Sequence, residues 1–143
     1  MIEIFEIQEA DEAVLTSVNR LLPQLSKSAK PIDGKQLKRL VESECTRLFF
    51  AKEGTDVLGM LSLVVFPIPT GVKAWIEDVV VDQKARGKGV GKALMNKALI
   101  EAGNLGTKSI DLTSRPSREA ANKLYQAIGY EERETNVYRY RIT

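Results

Sequence analysis

The sequence predicts a mixed α/β fold, a mixed sheet of about seven strands with helices on both faces. Three observations predict it. Apolar periodicity switches repeatedly between the strand and helix spacings, giving the order β α α β β β α β α β β. The apolar run Ile76-Glu77-Asp78-Val79-Val80-Val81 leads through a glycine-rich turn into a helical pattern and then another strand. Such a strand–helix–strand unit is parallel and right-handed. The chain has 143 residues, 43% hydrophobic and 28% charged, enough for one core, so residues 1–143 are expected to form a single domain.

The elements follow in order. Ile2 and Ile4 alternate with Glu3 and Glu6, as in an opening edge strand. Asp11–Leu22 places Ala13, Val14, Val18, Leu21 and Leu22 on one helical face, with Pro23 near its stop. Asp33 followed by Gln36 has the form of a capping box opening a second helix, with Leu37, Leu40, Val41 and Cys45 on its apolar side. Leu48–Lys52 and Val57–Phe66 flank the hairpin turn Glu53-Gly54-Thr55-Asp56. Pro67-Ile68-Pro69-Thr70-Gly71 breaks the chain before the strand Val72–Val81. A helix over Val90–Ala102 turns Ala93, Leu94, Ala98 and Leu99 inward, and a parallel strand over Thr107–Thr113 follows. Ser114-Arg115-Pro116-Ser117 reads as a serine-capped helix start, Arg118–Ala127 as the helix, and Glu131–Glu134 with Val137–Ile142 as a closing hairpin.

Composition narrows the chemistry. Histidine is absent and Cys45 is the only cysteine, which removes Ser-His-Asp triads, Cys-His pairs, internal disulfides and the usual His/Cys zinc sites. No metal is expected. A general base has to be a carboxylate, lysine, tyrosine or a water held by one of them. Cys45, lying near Leu40, Val41 and Leu48, reads as a small buried hydrophobe. A net charge of +2 gives no case for nucleic acid or an anionic membrane as partner. No apolar run reaches membrane-spanning length and Met-Ile-Glu-Ile-Phe-Glu lacks a signal pattern, so a cytoplasmic chain is expected.

The segment from Lys84 to Lys92 sets Gly87, Gly89 and Gly91 among four cations at a helix start, a physical setting for a phosphate. A Walker loop fails twice, because Arg86 stands where the first glycine belongs and Ala93 where the magnesium-binding hydroxyl belongs. A dinucleotide fingerprint would need glycine at Lys92. The run Arg86-Gly87-Lys88-Gly89-Val90-Gly91 instead resembles the Arg/Gln-x-x-Gly-x-Gly/Ala diphosphate motif of the GNAT superfamily of N-acetyltransferases. The segment Ala121-Asn122-Lys123-Leu124-Tyr125-Gln126-Ala127-Ile128-Gly129-Tyr130 resembles that superfamily's Ala-x-x-Leu-Tyr-x-x-x-Gly-Phe/Tyr signature, and the element order agrees over essentially the whole chain.

The resemblance implies an acyl-CoA N-acyltransferase fold, a mostly antiparallel mixed sheet of about seven strands whose central parallel strands, here Val72–Val81 and Thr107–Thr113, splay to admit acetyl-CoA. The backbone of Val79, Val80 and Val81 would meet the pantetheine arm. The amides of Arg86, Gly87, Lys88, Gly89, Val90 and Gly91 would hold the diphosphate. Lys84, Lys88 and Lys92 would add charge near the 3′-phosphate. Direct attack of a primary amine, on a small molecule or a protein, would need an oxyanion donor, expected at the Val79 amide, and a proton for the leaving thiolate, expected from Tyr125. Glu77 or Asp78 would serve as base, directly or through water, with Glu77 preferred. A half-buried carboxylate beside Trp75 would have a raised pKa. Adjacent strand residues point to opposite faces, so without a bulge only one of these acids can face the acceptor. Ile76-Glu77-Asp78-Val79 also resembles the equivalent strand of glucosamine-phosphate acetyltransferases. Arg118 departs from the pattern, standing where many relatives carry a CoA-contacting asparagine, and Asn122 is the substitute candidate. The resemblance further implies a homodimer. The alternative is a non-catalytic acyl-CoA-binding or sensor module, which Tyr125 and the Glu77/Asp78 pair argue against; a nucleotide-binding protein is weaker still.

Overall fold

Residues Met1–Thr143 are all described by the computed structural model. Four strands, β1 (Glu3–Glu6), β2 (Thr46–Glu53), β3 (Asp56–Ile68) and β4 (Gly71–Val81), form an antiparallel sheet in the order β1-β2-β3-β4. The helices are α1 (Glu12–Leu25), α2 (Gly34–Glu42), α3 (Val90–Asn104) and α4 (Glu119–Ile128). Two compact units result, Met1–Thr113 and Ser114–Thr143.

In the first unit, local chemistry sets the helix starts. The Asp11 side chain accepts from the Val14 amide at 2.9 Å. The Asp33/Gln36 capping box forms as its spacing predicts, with both bonds at 2.8 Å. One sheet face is covered by α1 and α2, where Val18, Leu21 and Leu37 pack with Leu48, Phe50, Val57, Met60 and Val80. The opposite face belongs to α3, which turns Val90, Leu94, Met95, Ala98 and Ala102 inward. Phe49, Ala51, Leu61 and Leu63, out of phase with the first set, fill that side and are almost completely buried.

Gly59 sets how closely α3 can approach. A Cβ placed there would lie 2.7 Å from the Val80 carbonyl oxygen, 3.1 Å from Val90 Cγ1 and 3.3 Å from Leu94 Cδ1. The first turn of α3 therefore rests on bare β3 backbone.

Several expectations are corrected. The strand expected over Thr107–Thr113 contracts to one parallel bridge, Trp75 to Asp111, so the sheet has four strands rather than about seven. Its direction is parallel, as expected of a strand–helix–strand crossover. Pro67 and Ile68 do not break the chain: β3 continues through both and turns at Pro69-Thr70. Proline is tolerated because β2 ends its pairing at Val64, leaving that side of β3 an edge. Pro23 lies inside the last turn of α1, which continues to Leu25. Cys45 falls after α2, half-buried, with its carbonyl accepting from Val65. Leu40 and Leu99 are 38% and 39% exposed, so the inward stripes run through Leu37 and through Met95 instead.

In the second unit, α4 starts without its serine caps. Arg118 is the N-cap residue and makes no side-chain cap bond. The closing hairpin is not formed, and Val137, Tyr138, Tyr140 and Ile142 are 74–88% exposed. A strand needs a ladder partner for its backbone, and alternation of side chains alone supplies none.

Gly59→Ala is expected to destabilise the fold by about 1–3 kcal/mol through overpacking of immovable backbone. A thermal or urea unfolding midpoint unchanged from the parent would show that α3 can lift off without cost.

Candidate active site

The site begins with an interruption in the β3–β4 ladder. Met60 pairs with Val80 and Ser62 with Glu77, so Leu61 alone faces both Asp78 and Val79. This is a β-bulge, and Asp78 carries it with φ of 50°, the one non-glycine residue in the left-handed region. Aspartate tolerates that region better than most side chains. A bulge leaves an extra residue unpaired and re-aims the chain.

The bulge changes what the two acids can do. Glu77 and Asp78 are both exposed, which removes the expectation of a half-buried carboxylate, and the bulge lifts the condition under which only one of them could face the acceptor. Beyond the bulge the phase of β4 is reversed, so Val80 joins Met60 on the α1/α2 face while Ile76, paired with Leu63, lies on the other.

A gap opens at the same level. The Ile76 amide donates to the Asp111 carbonyl at 3.0 Å, and the Asp111 amide to the Ala74 carbonyl at 3.1 Å. Beyond that bridge the ladder partners of β4 lie on β3 alone. The outer edge of Glu77–Val81 thus presents strand backbone without a neighbouring strand.

The glycine-rich segment then leads into α3. A 3-10 turn, Gln83–Ala85, follows β4, and Ala85 is buried beneath it. Arg86 and Lys88 donate their amides to Gln83 and Ala85 at 3.4 and 3.3 Å, so those two amides serve the turn itself. Gly87 and Gly89 take φ of 82° and 81°, and no atom lies within 4 Å of where either Cβ would be. Gly89 is the N-cap of α3 and supplies no side-chain bond. The amides of the first α3 turn, Val90, Gly91 and Lys92, consequently have no intrahelical acceptor. Lys84, Arg86, Lys88 and Lys92 are exposed around them. An uncapped helix start approached over bare glycine and ringed by cations is chemically suited to a phosphate.

Three residues that sequence reasoning missed hold this turn in place. Asp82 is 7% exposed and caps the turn by accepting from the Lys84 amide at 3.1 Å. Arg20 of α1 bonds the other Asp82 oxygen and donates to the Val57 carbonyl at 2.6 Å. Gln24, one helical turn on, accepts from the Gln83 amide at 2.9 Å. The Lys84 amide bond holds the Asp82 carboxyl below the usual carboxylate range, aided by Arg20 and opposed by burial. An Asp-x-Lys turn signal was present in the sequence, but its partners lie about 60 positions away.

The second unit carries the tyrosine. Tyr125 is 8% exposed on α4, and burial pushes its phenol above the ordinary value, with the Arg118 cation opposing. The Tyr130 ring lies 6.1 Å away, centroid to centroid, and the Tyr130 amide closes α4 on the Tyr125 carbonyl at 2.9 Å. Asn122 donates its side-chain amide to the Arg115 carbonyl at 3.0 Å, bracing the loop before α4.

Comparison with known proteins follows the same lines. The sequence model of the acetyltransferase (GNAT) family matches residues 12–130. A glucosamine 6-phosphate N-acetyltransferase from Trypanosoma brucei brucei is 30% identical over 137 residues, covering 90% of each chain. A shorter match, 36% identical, joins 43% of this chain to 27% of an uncharacterized N-acetyltransferase from Methanocaldococcus jannaschii. Among solved structures, an aminoglycoside acetyltransferase from an uncultured soil metagenomic sample, bound to sisomicin, has a TM-score of 0.88 at 19% identity over 99% of this chain and 96% of that one. An aminoglycoside N-acetyltransferase in complex with CoA has a TM-score of 0.83 at 17% identity, covering 100% and 96%. At those identities the two structures bear on the fold alone.

Asp82→Asn is expected to cost about 1–3 kcal/mol at neutral pH, less than a fully buried ion pair because the Arg20 side chain is partly solvated. The folded-state pKa of Asp82 is depressed, so its stabilisation is present above the unfolded value of about 3.9 and disappears as pH falls through the folded one. Urea unfolding from pH 7 downward should show the gap between parent and variant narrowing once the pH falls below about 4; a gap that does not narrow there would exclude the ion pair as its source.

Proposed function

Because the chain is a member of the acetyltransferase (GNAT) family, we propose that it transfers an acetyl group from acetyl-CoA to a primary amine of a small molecule or protein, by direct attack in a ternary complex. The observation that carries the reading is the uncapped α3 N-terminus behind Gly87 and Gly89, directly following the bulged, one-sided end of β4. Diphosphate oxygens suit the free amides of Gly87, Gly89, Val90, Gly91 and Lys92, with the exposed cations completing the charge balance. The backbone of Val79–Val81 suits the amides of a pantetheine arm, because its outer edge lacks a strand partner.

The chemistry assigned to the chain's own residues is brief. A neutral amine attacks the thioester carbon, a C–N bond forms, and the C–S bond breaks as the oxyanion collapses. The Val79 amide, at the bulge, is assigned to the oxyanion. Glu77, exposed on the face shared with Ser62, is assigned the proton lost by the amine, directly or through water, and Asp78 attracts a cationic acceptor. Tyr125 is assigned the proton that neutralises the departing thiolate, a role its family signature implies. Its raised pKa keeps the phenol protonated through the neutral range.

The acceptor panel begins with glucosamine 6-phosphate and aminoglycosides, which the relatives' names supply, and extends to polyamines, amino acids and N-terminal peptides. Thiol release from acetyl-CoA in the presence of one acceptor class is the expected result. Tight CoA binding with no turnover on any amine would support a sensor, and no CoA binding at all would overturn the assignment. Tyr125→Phe and Glu77→Gln should each lower kcat by about 10²-fold. An equal loss in Asp78→Asn with none in Glu77→Gln would move the base to Asp78. Because burial raises the Tyr125 pKa, any alkaline loss of activity from its ionisation should fall above about pH 10; a limb near pH 8 that vanishes in Tyr125→Phe would contradict the assignment.

A further inference from the structure

The connection between α1 and the turn after β4 has a consequence for ligand binding. A buried carboxylate five residues before the first of the glycines is electrostatically unfavourable for a phosphate bound there. Asp82 is nevertheless held in that position by its bond from the Lys84 amide, by the Arg20 guanidinium, and by its own amide, which donates to the Leu58 carbonyl at 2.8 Å. Arg20 and Gln24, four apart on α1, present both of their polar ends to the turn, one to the Asp82 carboxylate and one to the Gln83 amide. The second Arg20 amino group donates to the Val57 carbonyl at the start of β3, so the helix is tied both to that strand and to the turn that follows β4. The Gln83 carbonyl then accepts from Arg86 and the Ala85 carbonyl from Lys88, which fixes where the glycines begin.

We propose that Arg20 and Gln24 are positioning residues for the diphosphate: they neutralise Asp82 and hold the Gln83–Ala85 turn so that the Gly87–Lys92 amides converge on the ligand. This rests on the acetyl-CoA reading above. Neither residue touches the ligand. Arg20 removes a repulsion, and Gln24 fixes a backbone.

The test uses the full chain, with calorimetric affinity measured for CoA and for S-acetyl-pantetheine, which lacks the nucleotide diphosphate. Arg20→Gln is expected to weaken CoA binding about tenfold, the scale of a single charge-assisted bond, while S-acetyl-pantetheine affinity stays within about twofold. Removing the stranded carboxylate in the double variant Arg20→Gln/Asp82→Asn should recover a large part of the loss, and Arg20→Lys should keep most of the parent's affinity. In the kinetic assay the loss should fall on KM for acetyl-CoA, with kcat retained. Gln24→Ala, which leaves the ion pair intact, should shift the same selectivity about threefold and serves if Arg20→Gln does not fold.

Parent-level CoA affinity in folded Arg20→Gln and Gln24→Ala would overturn the inference while leaving the acetyl-CoA reading in place. Equal losses for CoA and S-acetyl-pantetheine would also overturn it, since they indicate general loosening. Failure of the parent itself to bind CoA would remove the underlying reading instead.

Discussion

The pairing of β3 with β4 is the constraint on which the rest depends. Its register admits one extra residue on β4, opposite Leu61, and that residue is absorbed by a left-handed Asp78. A period-two pattern cannot survive such an insertion. Ile76 on one side of the bulge and Val80 on the other therefore serve different faces of the sheet, and both are buried. One irregularity lets a single strand complete two cores and leaves Glu77 and Asp78 in solvent between them.

Close packing carries that geometry to the loop. Bare backbone at Gly59 lets Val90 and Leu94 descend onto β3, so the first turn of α3 is anchored by contacts rather than by a cap. A cap would have consumed amides that a phosphate can use. On the other face, α1 reaches around the end of β4 through Arg20 and Gln24. The turn is thus held from both faces of the sheet while its glycines meet nothing. The segment offers a rigid array of donors without a side chain in front of it.

Tyr125 illustrates a different balance. Burial makes its phenol a weaker acid than usual, and the nearby Arg118 cation works against that shift. A phenol is already protonated at neutral pH, and burial moves its ionisation further from that range. Arg118 thus takes part in the electrostatics of α4.

The sequence by itself determined whatever depends on near neighbours along the chain. The Asp33/Gln36 box, the Gly54 hairpin, the helix beginning at Val90 and the glycine spacing at 87, 89 and 91 are all local, and local hydrogen bonds and backbone preferences suffice to place them. The mixed α/β class followed from such local segments, and the family resemblance from the glycine spacing together with the Ala121–Tyr130 signature. Only the tertiary structure decided what depends on distant partners. Asp78 gives no glycine to announce a bulge, and its left-handed turn exists because two buried faces must both be filled. Asp82 looks like an ordinary turn residue until Arg20, 62 positions earlier, is folded against it. Tyr138, Tyr140 and Ile142 alternate as a strand does, yet without a backbone partner the alternation forms none. A ladder, a bulge and an ion pair are each completed by a second segment, and one-dimensional order does not say which segment that is.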